Sequence, residues 1–307
     1  MRKLIYILVV LLFCAHMRPV SAQDLTKEKN KSTYTHNLKF CEGTVKYKNA
    51  LLVSNFGTTE LNPLNNLGKG YVASIENGKV KVLIPNDGYL SAPKGMAVVA
   101  HHLFIADVAK VVVYNLKQLT QKPVVINFPE EDLFVNDIVA LGKMLIVSVT
   151  NTGKLYGIDV SDLTTLSNTK LIELGTIPGA NGLCVSGDTF YIASYNPTGV
   201  SNEQNVIYAA SISVPNQPLT KFIPNIPHGQ YDGIAISDDG QKMYFTSWIT
   251  SEMQNPAVFM VDLTDPEKYV RILDFGVKFL GPADITVSNG FIWIPDLAAS
   301  TVYKFKL

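Results

Sequence analysis

Four oxygen-bearing side chains stand out because each opens a similar stretch of chain: Glu42, Asn136, Asn181 and Asp232. Each is followed by Gly or Asp and then by apolar residues, as in Tyr231-Asp232-Gly233-Ile234-Ala235. The pattern recurs at Lys94-Gly95 and Ala283-Asp284, giving six openings spaced 52, 42, 45, 51 and 51 residues apart. A single Asn or Asp before a strand is an ordinary turn residue and implies no chemistry. Two carboxylates and two amides in register could do more, provided the fold brings them to one point. Hard oxygens carrying two formal negative charges suit a divalent ion such as Ca2+, with Mn2+, Zn2+ or Mg2+ as alternatives, rather than a soft metal. No His or Cys takes an opening position.

The elements that would position these residues are strands. After Lys94-Gly95 the chain reads Met96-Ala97-Val98-Val99, a turn at Ala100-His101-His102, then Leu103-Phe104-Ile105-Ala106-Asp107, Val111-Val112-Val113-Tyr114 and Val124-Val125-Ile126. Short β-branched and aromatic runs bounded by polar turns are the strand signal. The same grammar follows each opening, with Glu76-Asn77-Gly78 as a hairpin turn in the first repeat. Units of about 40 to 50 residues, four strands each and no helical periodicity, describe an all-β, six-bladed β-propeller. Only Lys306 and Leu307 follow the last strand-like run, so the sixth blade lacks an outermost strand. An unpaired edge is avoided in such rings. Residues 32–39, with Tyr34 and Leu38, are therefore expected to complete the last blade and close the circle. The first strand of each blade lines the central channel, so the opening residues should meet at one mouth.

Composition bounds the rest. Arg2 and Lys3 precede an apolar run from Leu4 to Ala15, and Val20-Ser21-Ala22 offers small residues for cleavage before Gln23. Residues 1–22 are read as a secretory signal peptide, 23–31 as a flexible N-terminus and 32–307 as a single propeller domain. Phe13 beside Cys14 does not fit a lipoprotein signal. Without residues 1–22 the chain keeps 23 basic and 26 acidic residues, a net charge of −3. That balance gives no reason to expect nucleic acid or an anionic membrane as partner. The expectation is an exported protein, periplasmic or extracellular, without a membrane span, monomeric and acting on a small molecule. Cys41 and Cys184 lie in different repeats and are expected as buried free thiols.

Cys41-Glu42-Gly43, Asn136-Asp137, Asn181-Gly182-Leu183 and Asp232-Gly233-Ile234 resemble the metal-site motifs of the senescence-marker-protein (regucalcin)/gluconolactonase family, and more distantly those of the paraoxonases. The resemblance spans the chain after the leader in repeat number and order. It implies a divalent ion, often Ca2+, on Glu42, Asn136, Asn181 and Asp232, with Asp232 also the general base of lactone or ester hydrolysis. Phe134, Asp137, Tyr195 and Trp248 are the candidate substrate contacts. Sugar-lactone members carry an Arg where Phe134 stands, which argues against an acidic or polyhydroxy sugar lactone. The Pro that follows Glu-Gly in the family is Thr44 here. Gly281-Pro282-Ala283-Asp284 and Ile294-Pro295-Asp296 are similar also to NHL-type repeats. Two other readings thus stay open: a propeller whose ion is structural, and a ligand- or protein-binding scaffold. The insertion from Gly57 to Gly70 is either a lid over the mouth or a surface loop. Asp107 and Asp296 are read as turn stabilisers, and His101-His102 as a solvated turn.

Overall fold

A computed structural model describes residues 31–212, 220–223, 226–265 and 270–307. The expected leader, and residues 23–30 of the expected flexible stretch, lie outside the described residues. The rest is almost entirely strand, in six four-stranded antiparallel sheets. The first sheet is β2 (Cys41–Tyr47), β3 (Ala50–Asn55), β4 (Tyr71–Glu76) and β5 (Lys79–Ile84). The second is β6 (Pro93–Val99), β7 (His102–Asp107), β8 (Lys110–Asn115) and β9 (Val124–Asn127). The third is β10 (Val135–Leu141), β11 (Met144–Val149), β12 (Lys154–Asp159) and β13 (Leu171–Thr176). The fourth is β14 (Ala180–Ser186), β15 (Thr189–Ser194), β16 (Ile207–Ser211) and β17 (Thr220–Lys221). The fifth is β18 (Gly229–Ile236), β19 (Lys242–Thr250), β20 (Ala257–Asp262) and β21 (Arg271–Ile272).

The sixth sheet joins the two ends of the chain. Its strands are β22 (Thr286–Ser288), β23 (Phe291–Asp296) and β24 (Thr301–Lys306), and its outermost strand is β1 (Lys31–Tyr34). The closing strand is therefore N-terminal, as expected, although it begins at Lys31 and ends at Tyr34 rather than spanning 32–39. Lys31 pairs with Phe305 and Tyr34 with Val302. The Tyr34 ring stacks on Trp293 at 5.9 Å, and Leu38 is buried behind it. Each innermost strand touches the next, and β22 touches β2, so the ring is closed.

Middle strands are buried on both faces because each sheet is covered by a neighbouring blade. Leu103, Phe104, Ile105 and Ala106 of β7 have no exposed surface. Leu52 and Val72 of the first sheet share one core with Leu103, Ile105 and Val112 of the second. The outer strand β5 is instead largely open, with Lys79, Lys81 and Val82 in solvent.

One irregularity recurs in every blade. Two residues of the innermost strand oppose one of its neighbour: Glu42-Gly43, Lys94-Gly95, Asn136-Asp137, Asn181-Gly182 and Asp232-Gly233 each fall in a register shift. The bridge of Pro282 to Asp296 leads into the same displacement before β22. A bulge re-aims side chains and frees a backbone N–H from the ladder. In blades one, three and five a hydroxyl accepts that freed N–H: Ser54 Oγ from Gly43 N at 2.7 Å, Ser148 Oγ from Asp137 N at 3.0 Å, and Thr246 Oγ1 from Gly233 N at 2.8 Å. Ser148 then donates to Asn181 O and Thr246 to Ala283 O, tying each bulge to the next blade. The second bulge residue packs against the neighbouring backbone. A Cβ on Gly43 would collide with Lys94 O, and one on Gly233 with Ala283 O. Those glycines are a consequence of blade contact.

Candidate metal centre

The recurrent bulge delivers the opening residues of the blades to one end of the channel. Glu42, Lys94, Asn136, Asn181 and Asp232 line a single cavity of about 260 Å3 together with Phe56, Leu61, Pro63, Phe134, Tyr195, Trp248 and Leu297. The structure thus brings together all four residues expected at the mouth. Their relative exposures are 4, 2, 2 and 5% for Glu42, Asn136, Asn181 and Asp232. One oxygen of each has no hydrogen-bond partner: Glu42 Oε2, Asn136 Oδ1, Asn181 Oδ1 and Asp232 Oδ1. Buried polar oxygens are nearly always satisfied, and leaving one orphaned costs about 1–3 kcal/mol. All four of these oxygens belong to residues that line one cavity. Two carboxylates and two amide carbonyls fit a hard divalent cation. Among the described residues no group of three or more His, Cys, Asp or Glu is placed to hold a metal ion.

The electrostatics agree. Burial pushes the Asp232 carboxyl up to about 7, against the opposing pull of Trp248 and Lys94. Burial, and then the charge of Asp232, raise Glu42 well above the ordinary carboxylate range. A cation at the four oxygens would favour both charged forms. Trp248 Nε1 donates to Asp232 Oδ2 at 2.8 Å, which orients the carboxylate and leaves Oδ1 for the centre. The indole lies on Gly281 of the sixth blade, where a Cβ would meet Trp248 Cη2 at 2.7 Å, and its edge meets Tyr195 at 6.4 Å.

Phe134, Tyr195 and Trp248 all reach the cavity, while Asp137 does not. Its Oδ2 accepts from Leu183 N and its Oδ1 from Ile138 N, both at 2.7 Å. Asp137 stands at the second bulge position, where blades one, two, four and five have Gly, and so faces the neighbouring blade rather than the mouth. Asp284 holds the matching place in the sixth blade, with both oxygens buried and without partner. Burial, then Asp137, Glu42 and Asp232, push its carboxyl well above the usual range.

Several residues were absent from the sequence-based site. Lys94 was visible as an opening residue, and its register was the available signal. Its Nζ donates to Ala92 O at 2.9 Å. Burial pushes this amine down, against the pull of Asp107, Glu42 and Asp232. Leu61 and Pro63 place the 57–70 insertion in the cavity wall, and Phe56 and Leu297 complete it. No repeat pattern points to these four. Asp107 accepts from Ser91 N and Ala92 N, and Asp296 from Leu280 N and Gly281 N, so both hold the loops entering innermost strands. His102 begins β7 instead of lying in the turn, which Ala100 makes at φ 54°. Cys41 and Cys184 are buried and free.

No protein-family model and no curated protein sequence matches the chain. Solved structures do match in shape. A gluconolactonase of Xanthomonas campestris superposes with a TM-score of 0.63 at 14% identity, covering 90% of this chain and 89% of its own. The periplasmic gluconolactonase of Pseudomonas aeruginosa gives 0.56 at 12% identity, covering 86% and 80%. Virginiamycin B lyase of Staphylococcus aureus gives 0.57 at 14% identity, covering 90% and 98%. Identity at this level carries the fold alone. The chain is a six-bladed β-propeller whose fold is similar to that of these gluconolactonases and this lyase.

Proposed function

We propose that this chain is an exported, divalent-metal-dependent hydrolase of lactones or related esters. The observation that carries the reading is the convergence of four orphaned, buried oxygens, from Glu42, Asn136, Asn181 and Asp232, on one cavity. These four would hold the ion, with Ca2+ the first candidate on donor type. An ion bound there supplies a Lewis acid for the carbonyl oxygen of the substrate. Everything else falls to the chain. Asp232, oriented by Trp248, takes a proton from the attacking water as oxygen bonds to the acyl carbon. The ester C–O bond then breaks, and Asp232 returns the proton to the leaving oxygen, which departs as the alcohol. The apolar walls from Phe56, Phe134 and Leu297 exclude bulk water and seat the acyl portion. The leader-like sequence at residues 1–22 supports export.

Asp232→Asn tests the proposal, because it keeps an oxygen ligand and removes the proton acceptor. Hydrolysis of a responsive lactone should fall by at least about 100-fold, with the melting temperature little changed. Undiminished hydrolysis would remove Asp232 from the role of base. Calcium bound tightly, with no turnover across a lactone and ester panel, would instead favour a propeller whose ion is structural.

A further inference from the structure

One cation shares the cavity with the four oxygens. Lys94 opens β6 and is buried, with 1% of its surface exposed. An ammonium has three N–H donors. Among the described residues Nζ donates one hydrogen bond, to Ala92 O, and enters no direct ion pair. Two aromatic faces also flank it, Phe134 at 5.1 Å and Phe56 at 5.7 Å from ring centre to Nζ. Such contacts attract a cation without accepting its N–H bonds in the geometry of an oxygen. Two donors are left for whatever enters the cavity.

Counting charge leads the same way. Glu42 and Asp232 together balance one divalent ion, and Asn136 and Asn181 add none. Asp107, the remaining carboxylate acting on Lys94, already accepts two backbone N–H groups and pairs with Lys110 Nζ at 3.5 Å. Asp137 and Asp284 act on Glu42 and on each other, and neither is among the carboxylates acting on Lys94. With the ion balanced by Glu42 and Asp232, the Lys94 ammonium is left facing apolar walls. Charges act strongly across such surroundings.

We propose that Lys94 binds an anionic group of the substrate, so that the site selects lactones or esters carrying a carboxylate over their neutral counterparts. This rests on the hydrolase reading and names its substrate class. The Phe134 ring, from the third blade, steadies the Lys94 ammonium of the second. Ammonium and ion then contact different ends of a small substrate, the carboxylate at Lys94 and the reacting carbonyl at the oxygen cluster.

The test compares γ-butyrolactone with the same ring bearing a carboxylate on the carbon beside the ring oxygen, using calcium-loaded full protein. Wild type should favour the carboxylated lactone in kcat/KM by roughly 10-fold or more, with the preference shrinking as salt rises. Lys94→Met should lower kcat/KM for the carboxylated lactone by roughly 10- to 100-fold, mainly through KM, and Lys94→Arg should recover part of it. Equal handling of the two lactones by wild type would overturn the proposal while leaving the hydrolase reading intact. That comparison needs no variant, so a poorly folded Lys94→Met cannot obscure it. If neither lactone is turned over, binding of the carboxylated one, read by tryptophan fluorescence, decides separately. Lys94-dependent, salt-sensitive binding would sustain the anion site against a failed hydrolase reading, and no binding to calcium-loaded wild type would overturn it.

Discussion

At Asp232 the two carboxylate oxygens have different surroundings, and the proposed metal centre rests on this difference. Oδ2 accepts the Trp248 indole N–H, whereas Oδ1 is buried without a partner. With no divalent ion, the burial of Asp232 and Glu42 as anions is unfavourable, and both carboxyls are raised. Asp137, also raised to about 7, and Asp284 act in the same direction. The sign follows from linkage. A carboxyl raised in the folded state carries no penalty below its unfolded value near 4, and the penalty grows as pH climbs toward about 7. Protein stripped with chelator should therefore melt higher at pH ~5 than at pH ~8. Added calcium should raise the melting temperature more at the higher pH, since it requires the charged ligands. A stripped protein whose stability rises between those two values would contradict the assignment.

The innermost strand with its bulge is the element that turns sequence register into a site. Its second position must accommodate the next blade, and Gly281 plays a comparable part for the Trp248 ring. Gly281→Ala should push the indole off Asp232, reducing hydrolysis several-fold and shifting tryptophan emission while the fold persists. Unchanged emission and activity would show that the ring is not held by that contact. Much of this element was legible, because the Asn/Asp/Glu-Gly signal and the β-branched runs after it are local. The β6–β9 sheet lies within a residue or two of its sequence reading. The outer strands β17 and β21, at two residues each, lack the alternation that makes a strand visible. The short 3-10 turn at Leu166–Asn168 was likewise unforeseen. Asp137 was misplaced because a bulge turns its first and second residues to different neighbours, which spacing alone does not reveal. Leu61, Pro63 and Leu297 come from connections of unequal length, so no repeat predicts their meeting.

For the molecule as a whole, ring closure by β1 is the feature on which the mouth geometry depends. Removing residues 23–38 would strip β1, the Tyr34 stack on Trp293 and the buried Leu38. Summing the lost burial and stacking gives about 3 kcal/mol of destabilisation, and an open edge that promotes association. A truncated protein as stable and monodisperse as the full chain would show that the ring does not need this strand. Among the described residues no helix is long and apolar enough to cross a membrane. We place one divalent ion at the point where four blades meet. Its most direct measurement is calorimetric titration of calcium into chelator-treated protein, comparing wild type with the Glu42→Gln, Asp232→Asn double variant. One site per chain is expected in wild type and no measurable binding in the double variant, with both proteins folded. Equal binding by the two proteins, or no binding of calcium, Mn2+, Zn2+ or Mg2+ by wild type, would contradict it.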